Sequence, residues 1–242
     1  MFARTSVSAP NRGDPRTRGA RKPFIEESRK RDMSTQRSPQ DGAVTGLILA
    51  AGSGTRLGCG PKALLPFLGR TLVEALVDEL LAGGCSEVVV VLGAQAGRVL
   101  ATSDLSACRV LINPRWVDGM GSSFKAGVDA LPVGRDVLVT LVDQPGVGRE
   151  TVSRLLAAHR HGRVTAAAYS VRGGPVRRGH PILFSSVAAG AAAGMVEGDT
   201  AARKWLEAHP EKVDLVDCSD VGSGADVDRW EDLHLLGGVP TE

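Results

Sequence analysis

From Val44 onward, short apolar runs alternate with longer segments in which apolar residues recur at helical spacing. The run VTGLILA at 44–50 predicts a strand that is buried on both faces. In TLVEALVDELL, at 71–81, the apolar residues form the stripe of an amphipathic helix. The same reasoning predicts further strands at 87–93, 109–113, 136–143, 164–170, 180–185 and 212–218, and further helices at 122–131, 149–162, 199–209 and 229–236.

Two of the predicted helices have residues that favour their ends. Ser122 or Ser123 is expected to cap the helix at 122–131, and Gly162 to end the helix at 149–162. Strands separated by helices of this length form βαβ units, so the pattern predicts an α/β fold with a mostly parallel sheet. Such sheets bind ligands beyond the carboxyl ends of their strands, and we therefore expect the site in the loops that follow the strands.

The first 42 residues lack this pattern and are strongly basic. Residues 1–40 hold ten Lys or Arg and four Asp or Glu, which leaves 19 basic and 23 acidic residues in the rest of the chain. We predict a disordered basic leader at 1–42, one domain at 43–237 and a short tail at 238–242. Because a start at Met33 would remove most of this segment, we expect residues 1–32 to be an extended start or a tag-like leader, with a functional basic arm as the alternative.

Charge and cysteine content exclude several classes of protein. The predicted domain is mildly acidic, which argues against a nucleic-acid surface. No apolar run reaches the length of a membrane span, and the leader lacks the apolar centre of a signal peptide. The four cysteines are far apart and form no metal-binding pair. A cytoplasmic protein with reduced thiols and no membrane or nucleic-acid partner is expected.

The loop after the first strand, AAGSGTRLGCGPK, combines glycines with two cations. The dinucleotide-binding fingerprint fails, because Leu57 stands where its third glycine belongs, and no Gly-Lys pair of a Walker loop occurs. Small residues let backbone N–H groups approach an anion, and Arg56 and Lys62 can hold phosphate oxygens. The alternative is a plain turn with two solvated cations.

The run VLVTLVDQPG places Asp143 at the end of another buried strand. A triphosphate in the glycine loop brings Mg²⁺, which prefers carboxylate oxygens and keeps several waters. We therefore predict a magnesium site at Asp143. The alternative is that Asp143 only opens the turn formed with Pro145 and Gly146.

The stretch LAAGSGTRLGCGPKALLPFLGRTLVE resembles the signature of the MobA/MocA-like nucleotidyltransferases, the molybdenum cofactor nucleotidyltransferases. The resemblance extends over about 44–236 and implies a three-layer, GT-A-like Rossmann variant, the nucleotide-diphospho-sugar-transferase fold. It implies catalytic roles for Arg56, Lys62 and Asp143, with Asp143 on the metal. The residues it places at the nucleotide are Leu49, Ala50, Ala51, Gly52, Ser53, Gly54, Lys62, Gly119, Ser122 and Ser123.

The resemblance also implies further carboxylates and an acceptor side. Asp226 and Asp228 match a metal-binding segment of the family, although Arg229-Trp230 replaces the Thr-Pro expected there, and either carboxylate can instead be a helix cap. The residues implied for the acceptor are Arg178, Gly179, His180, Asp199 and Arg203. A solvated basic turn and an ordinary Asp–Arg helix pair are the alternatives for these groups.

The resemblance implies that an acceptor phosphate monoester attacks the α-phosphorus of an NTP and releases pyrophosphate. Ala50-Ala51-Gly52 is the family form that accompanies CTP rather than GTP, with molybdopterin as acceptor and a molybdoenzyme as a possible recipient of the cofactor. Three alternatives remain open. They are a sugar- or polyol-phosphate nucleotidyltransferase, an NAD(P)H-dependent reductase of the same family, and a non-catalytic chaperone that inserts the cofactor.

Overall fold

The computed structural model describes residues 43–170, 174–196, 198–200 and 202–237. The leader and tail predicted at 1–42 and 238–242 lie outside these residues. The strands are β1 (Val44–Ala50), β2 (Pro66–Phe67), β3 (Arg70–Thr71), β4 (Glu87–Leu92), β5 (Arg109–Ile112), β6 (Asp136–Leu141), β7 (Val164–Tyr169), β8 (Arg177–Phe184) and β9 (Val213–Asp217). The α-helices are α1 (Leu72–Ala82), α2 (Ala96–Thr102), α3 (Met120–Asp129), α4 (Arg149–Ala158), α5 (Ser186–Gly194) and α6 (Arg203–Ala208).

Seven of the strands form one sheet in the order β5-β4-β1-β6-β8-β7-β9. The pairs β5·β4, β4·β1, β1·β6 and β7·β9 are parallel, whereas β8 runs antiparallel to both of its neighbours. The predicted mostly parallel α/β sheet is therefore confirmed. Strands β2 and β3 form a separate two-stranded hairpin.

The sheet lies between two layers of helices. Along β1, Ile48 and Ala50 belong to a core cluster with residues of α1, α2 and α4, while Leu47 and Leu49 belong to a second cluster with residues of α3, α5 and α6. Successive side chains of a strand point to opposite faces, so both faces of β1 are buried, as its unbroken apolar run predicts.

Helix α3 begins earlier than predicted. Its N-cap is Gly119, and Ser122 and Ser123 lie inside its first turn, so neither serine is the cap. Gly119 has φ +100°, a conformation that glycine adopts at little cost and that turns the chain into the helix. The two serine hydroxyls instead accept hydrogen bonds from the Asn113 side chain, at 2.9 and 3.0 Å.

Other predicted elements have different ends. Helix α4 ends at Ala158 rather than Gly162, because His159 is already extended. The predicted helix at 199–209 is a 3-10 turn (Gly198–Thr200) followed by α6, and the one at 229–236 is a 3-10 helix, Trp230–Leu236. Strand β8 begins three residues before its predicted start, and α2 was not predicted. No helix among the described residues has the length and apolarity needed to cross a membrane.

Candidate active site

The candidate site lies where β1 and β6 end. These neighbouring parallel strands place Leu49 beside Leu141, and the loops that follow them enclose a cavity of about 390 Å³. This is the carboxyl edge at which parallel sheets bind ligands. The predicted site residues that line it are Leu49, Ala51, Gly52, Ser53, Gly54, Arg56, Lys62, Gly119, Ser123, Asp143 and Asp228.

The glycine loop is folded back on itself. Gly54 has φ +66°, and a Cβ there would lie 1.9 Å from the carbonyl oxygen of Gly60, so no larger residue fits. Its own carbonyl accepts hydrogen bonds from the N–H groups of Leu57 and Gly58. Leu57 is fully buried and anchors the loop in the core. The leucine that breaks the dinucleotide fingerprint is therefore a structural anchor.

The two cations of the loop have different surroundings. Arg56 is exposed and makes no hydrogen bond or ion pair with the residues that the structure describes. Lys62 is largely buried, and its ammonium group donates to Asp143 Oδ2 at 2.8 Å and also to Asp228 Oδ1. Burial works to lower the Lys62 pKa, but the hydrogen bonds and charges of the two aspartates outweigh it and raise the pKa above its ordinary value. Lys62 is therefore charged at neutral pH.

The carboxylate of Asp143 has room for another partner. Asp143 Oδ1 is buried and has no hydrogen-bond partner in the described part of the chain. No group of three or more His, Cys, Asp or Glu side chains arranged to hold a metal occurs there either. Mg²⁺ needs only one or two protein carboxylates, because it keeps several waters. A buried, unpartnered carboxylate oxygen in the cavity, with Asp228 joined to the same lysine, fits such an ion.

Asp226, the other predicted metal ligand, does not line the cavity. Its Oδ1 accepts a 2.6 Å hydrogen bond from Gln144 Nε2. Burial raises the pKa of Asp226, and the charges of Asp143 and Asp228 raise it further. A backbone hydrogen bond from Val227 N to Asp143 O, 2.9 Å long, ties this segment to the end of β6. That bond holds the segment that contains Asp228, which is distant in sequence, beside Asp143.

Asn113, which was not predicted from the sequence, supports a residue of the cavity without lining the cavity itself. It follows β5, is buried, and joins the loop to α3 by donating to both Ser122 and Ser123. Ser123 lines the cavity, whereas Ser122 donates to the carbonyls of the preceding loop. Ala50, also predicted to contact the nucleotide, packs in the core. The sequence feature that could have identified Asn113 is its position as a polar residue at the end of a predicted strand.

A second cavity of about 240 Å³ adjoins the first and shares Leu49, Met120 and Leu141 with it. Four predicted acceptor residues line it, namely Arg178, Gly179, His180 and Arg203. The backbone of Asp199 lies in the 3-10 turn beside it, while its side chain is outside the described part of the structure.

The lining of the second cavity is otherwise largely apolar, with Phe124, Ile182, Phe184 and Leu206 among its residues. Burial lowers the pKa of His180 to about 4, and the charge of Arg178 lowers it further. The imidazole is therefore neutral at neutral pH. The cavity combines an apolar interior with two arginines, which suits a partly aromatic ligand that has an anionic group.

The chain matches the family of MobA-like NTP transferase domains over residues 46–213, and it belongs to that family. One relative, a nicotine blue oxidoreductase of Paenarthrobacter nicotinovorans, is 51% identical over 195 residues, which are 80% of this chain and 96% of the relative. The bifunctional protein GlmU of Thermotoga petrophila is 33% identical over 126 residues, 48% of this chain and 26% of that protein.

Solved structures share the fold, among them that of a nucleotidyl transferase. A nucleotidyl transferase from Methanothermobacter superposes with a TM-score of 0.68 at 25% identity, over 80% of this chain and 98% of that one. Rv0371c of Mycobacterium tuberculosis, solved as a complex with manganese, superposes with a TM-score of 0.67 at 26% identity, over 81% and 100%. The expected nucleotide-diphospho-sugar-transferase fold and the family resemblance are confirmed.

Proposed function

We propose that this protein transfers a nucleotidyl group from CTP to a molybdopterin-type phosphate monoester and releases pyrophosphate. The observation that carries the proposal is the contact of Lys62 with Asp143 and Asp228 at the cavity, beside a buried Asp143 oxygen without a partner. Cations for phosphate and carboxylates for a divalent ion thus meet in one place. The MobA-like family assignment supports the same chemistry.

In this mechanism an acceptor phosphate oxygen forms a bond to the α-phosphorus of the nucleotide. The bond between the α-phosphorus and the oxygen that bridges it to the β-phosphorus breaks, and pyrophosphate leaves with that oxygen. Arg56 and the backbone of the glycine loop bind the leaving pyrophosphate, and Lys62 offsets charge that develops on it. Asp143 and Asp228 would hold Mg²⁺, which would neutralise charge on the phosphate oxygens. Preorganised charges of this kind lower the barrier without reorganising during the reaction.

The acceptor needs no general base, because a phosphate monoester is already a nucleophile at neutral pH and requires positioning. Arg178 and Arg203 are proposed to hold its anionic group, and the apolar residues of the second cavity its ring system. His180, neutral and with a pKa of about 4, is a weak base and acts as part of the wall.

The choice of CTP rests on Ala51, where the GTP-using members of the family have glycine. We further propose that a molybdoenzyme receives the product.

The test is pyrophosphate release with molybdopterin and each of CTP, GTP, UTP and ATP, with Mg²⁺, with Mn²⁺ and without a divalent ion. Release that needs the metal and is fastest with CTP is expected. A sugar phosphate in place of molybdopterin is the control for the acceptor. Absence of release with every nucleotide would exclude the transferase reaction, and faster release with the sugar phosphate would exclude molybdopterin as the preferred acceptor.

A second candidate function is hydride transfer, which the 51% identity to an oxidoreductase favours. The two adjoining cavities could hold NAD(P)H and an aromatic acceptor, with NAD(P)H oxidised as the acceptor is reduced. Against it, the stretch LGAQ at the end of β4 has no carboxylate for a ribose. Oxidation of NADH and NADPH is followed at 340 nm with a quinoid dye as acceptor. Oxidation that requires the protein and the dye would support this function, and its absence would exclude it.

A further inference from the structure

The first cavity has an apolar wall that phosphate and metal chemistry does not use. Its residues include Ala51 from the glycine loop, Trp116 and Val117 from a 3-10 turn (Trp116–Asp118), and Met120 from the start of α3. Phosphate oxygens gain nothing from such a surface. A flat ring does, since most of its area is apolar and its π-face packs on an indole.

The position of Trp116 depends on Gly93, the residue after β4. A Cβ at Gly93 would lie 2.5 Å from Trp116 Cβ, 2.7 Å from Trp116 Cγ and 2.8 Å from Ala51 Cβ. The φ of Gly93 lies outside the left-handed range, so glycine is needed here for space and not for backbone conformation. The absence of a side chain at Gly93 thus lets both Trp116 and Ala51 pack against the backbone at the end of β4.

The three tryptophans of the chain differ in their surroundings. Trp205 is 4% exposed and stacks on His209, which makes it a core residue. Trp230 is 65% exposed and does not line either cavity described above. Trp116 is half-buried, lines the first cavity, and has no ring contact among the described residues. Of the three indoles, that of Trp116 is therefore the one that lines a described cavity, where a ligand ring can reach it.

We propose that Trp116, supported by Gly93, is the platform on which the base of the nucleotide stacks. The inference rests on the proposed function, because it requires a nucleotide in the first cavity. It adds a residue that binds the ring rather than the phosphates. Stacking on an aromatic side chain depends little on which base is bound, so Trp116 contributes affinity for several nucleotides and leaves the choice among them to neighbours such as Ala51.

The test is the dissociation constant, measured by titration calorimetry, of CTP and of inorganic tripolyphosphate, which lacks the ring. In Trp116→Leu the dissociation constant of CTP should rise by roughly 5- to 150-fold, the range of one base–aromatic stack. That of tripolyphosphate should stay unchanged, and Trp116→Phe should restore most of the CTP affinity. Quenching of tryptophan emission by CTP, but not by tripolyphosphate, should be present in the wild type and lost in Trp116→Phe.

Gly93→Ala provides an independent variant, because it keeps the indole and displaces it. It should weaken CTP binding and spare tripolyphosphate. Gly97→Ala, where an added Cβ meets nothing within 4 Å, and Trp230→Leu are the matched controls and should bind both ligands as the wild type does. Thermal unfolding of each variant verifies that it is folded.

Two outcomes would overturn the inference. Wild-type CTP affinity in Trp116→Leu would show that the base lies elsewhere, and an equal loss of tripolyphosphate affinity would show that Trp116 only supports the loop. Both outcomes leave the proposed function standing, because nucleotide still binds to the wild type. Absence of CTP binding to the wild type would instead contradict the proposed function together with this inference.

Discussion

Strand β6 begins with one aspartate, Asp136, and a second, Asp143, lies two residues beyond its other end; the two have different partners. Asp136 begins the strand, its Oδ1 accepts a 2.9 Å hydrogen bond from Ser186 N, and its Oδ2 lies 3.5 Å from His159 Nε2. Asp143 follows the strand, its Oδ2 accepts from Lys62, and its buried Oδ1 has no partner in the described structure. The same residue type thus closes a structural contact at one edge and faces a cavity at the other.

The edge of the sheet at Asp136 and the edge at Asp143 differ in the groups that their buried polar atoms face. His159 Nε2 is also buried without a good hydrogen bond, but it faces Asp136, and the other ring nitrogen lies 2.9 Å from Thr165 Oγ1. That cluster ties the end of α4 to the starts of β6, β7 and α5. Asp143 instead lines a cavity together with Lys62, which it contacts, and with Arg56, which makes no ion pair with the described residues. A buried polar atom without a partner costs stability, and a ligand that completes it recovers that cost.

The largest expected effect is on Asp143. Asp143→Asn should lower the rate of pyrophosphate release by about 10²- to 10³-fold, because it removes one preorganised charge from the site. The free energy of unfolding should change by about 1 kcal/mol or less, since Lys62 keeps its contact with Asp228. Initial rates with CTP and molybdopterin and urea unfolding measure the two quantities.

Asp129→Asn is the matched control for that variant. Asp129 is exposed and pairs with Lys125 one helical turn away, at 2.6 Å. Its loss should leave the rate unchanged and cost about 0.3–0.5 kcal/mol of stability at most. An Asp143→Asn protein that releases pyrophosphate at the wild-type rate would contradict the assignment of the site.

A substitution of Asp136, at the opposite edge of the sheet, should change the stability of the protein and not the rate of pyrophosphate release. Asp136→Ala leaves the N–H of Ser186 without its acceptor and should lower the free energy of unfolding by about 1–3 kcal/mol. The rate per folded molecule should stay at the wild-type value. Asp136→Asn should recover part of the stability, because its amide oxygen can still accept from Ser186. A rate loss in the fully folded Asp136→Ala protein would contradict the division between the two edges.

The stability difference between wild type and Asp136→Ala should also depend on pH. Burial works to raise the Asp136 pKa, but the imidazole of His159, the N–H of Ser186 and the charge of His161 outweigh it, so the folded-state pKa lies below the ordinary value. A depressed carboxyl pKa contributes stability above the ordinary Asp pKa, near 4, and loses it as pH falls through the folded value. Urea unfolding from pH 7 to pH 3 should therefore show the difference shrinking. A constant difference would indicate that the charge of Asp136 does not matter.

The sequence predicted the sheet and most of its strands, because buried parallel strands are nearly continuous apolar runs, as in β1 and β6. It also placed Lys62 and Asp143 at one edge, since both follow such strands. It did not predict the start of α3, where the side chain of Asn113 occupies the serine hydroxyls that were expected to cap the helix. Nor did it predict that Trp116 lines the cavity, because the space for it arises at Gly93, which is distant in sequence. These features depend on contacts between segments and not on local pattern.

The smallest expected effect on the rate of pyrophosphate release distinguishes Asp228 from Asp226. Asp228 lines the cavity and contacts Lys62, whereas Asp226 accepts from Gln144 and lies outside the lining. Asp228→Asn should therefore lower the rate of pyrophosphate release by roughly tenfold, or about 1.4 kcal/mol, and raise the Mg²⁺ concentration at half-maximal rate. Asp226→Asn should stay within about threefold, because an amide oxygen replaces the carboxylate toward Gln144 and the metal contact is not lost. The reverse order, with Asp226→Asn the more damaging and the more dependent on Mg²⁺, would move the metal from Asp228 to Asp226 while leaving Asp143 as its other ligand.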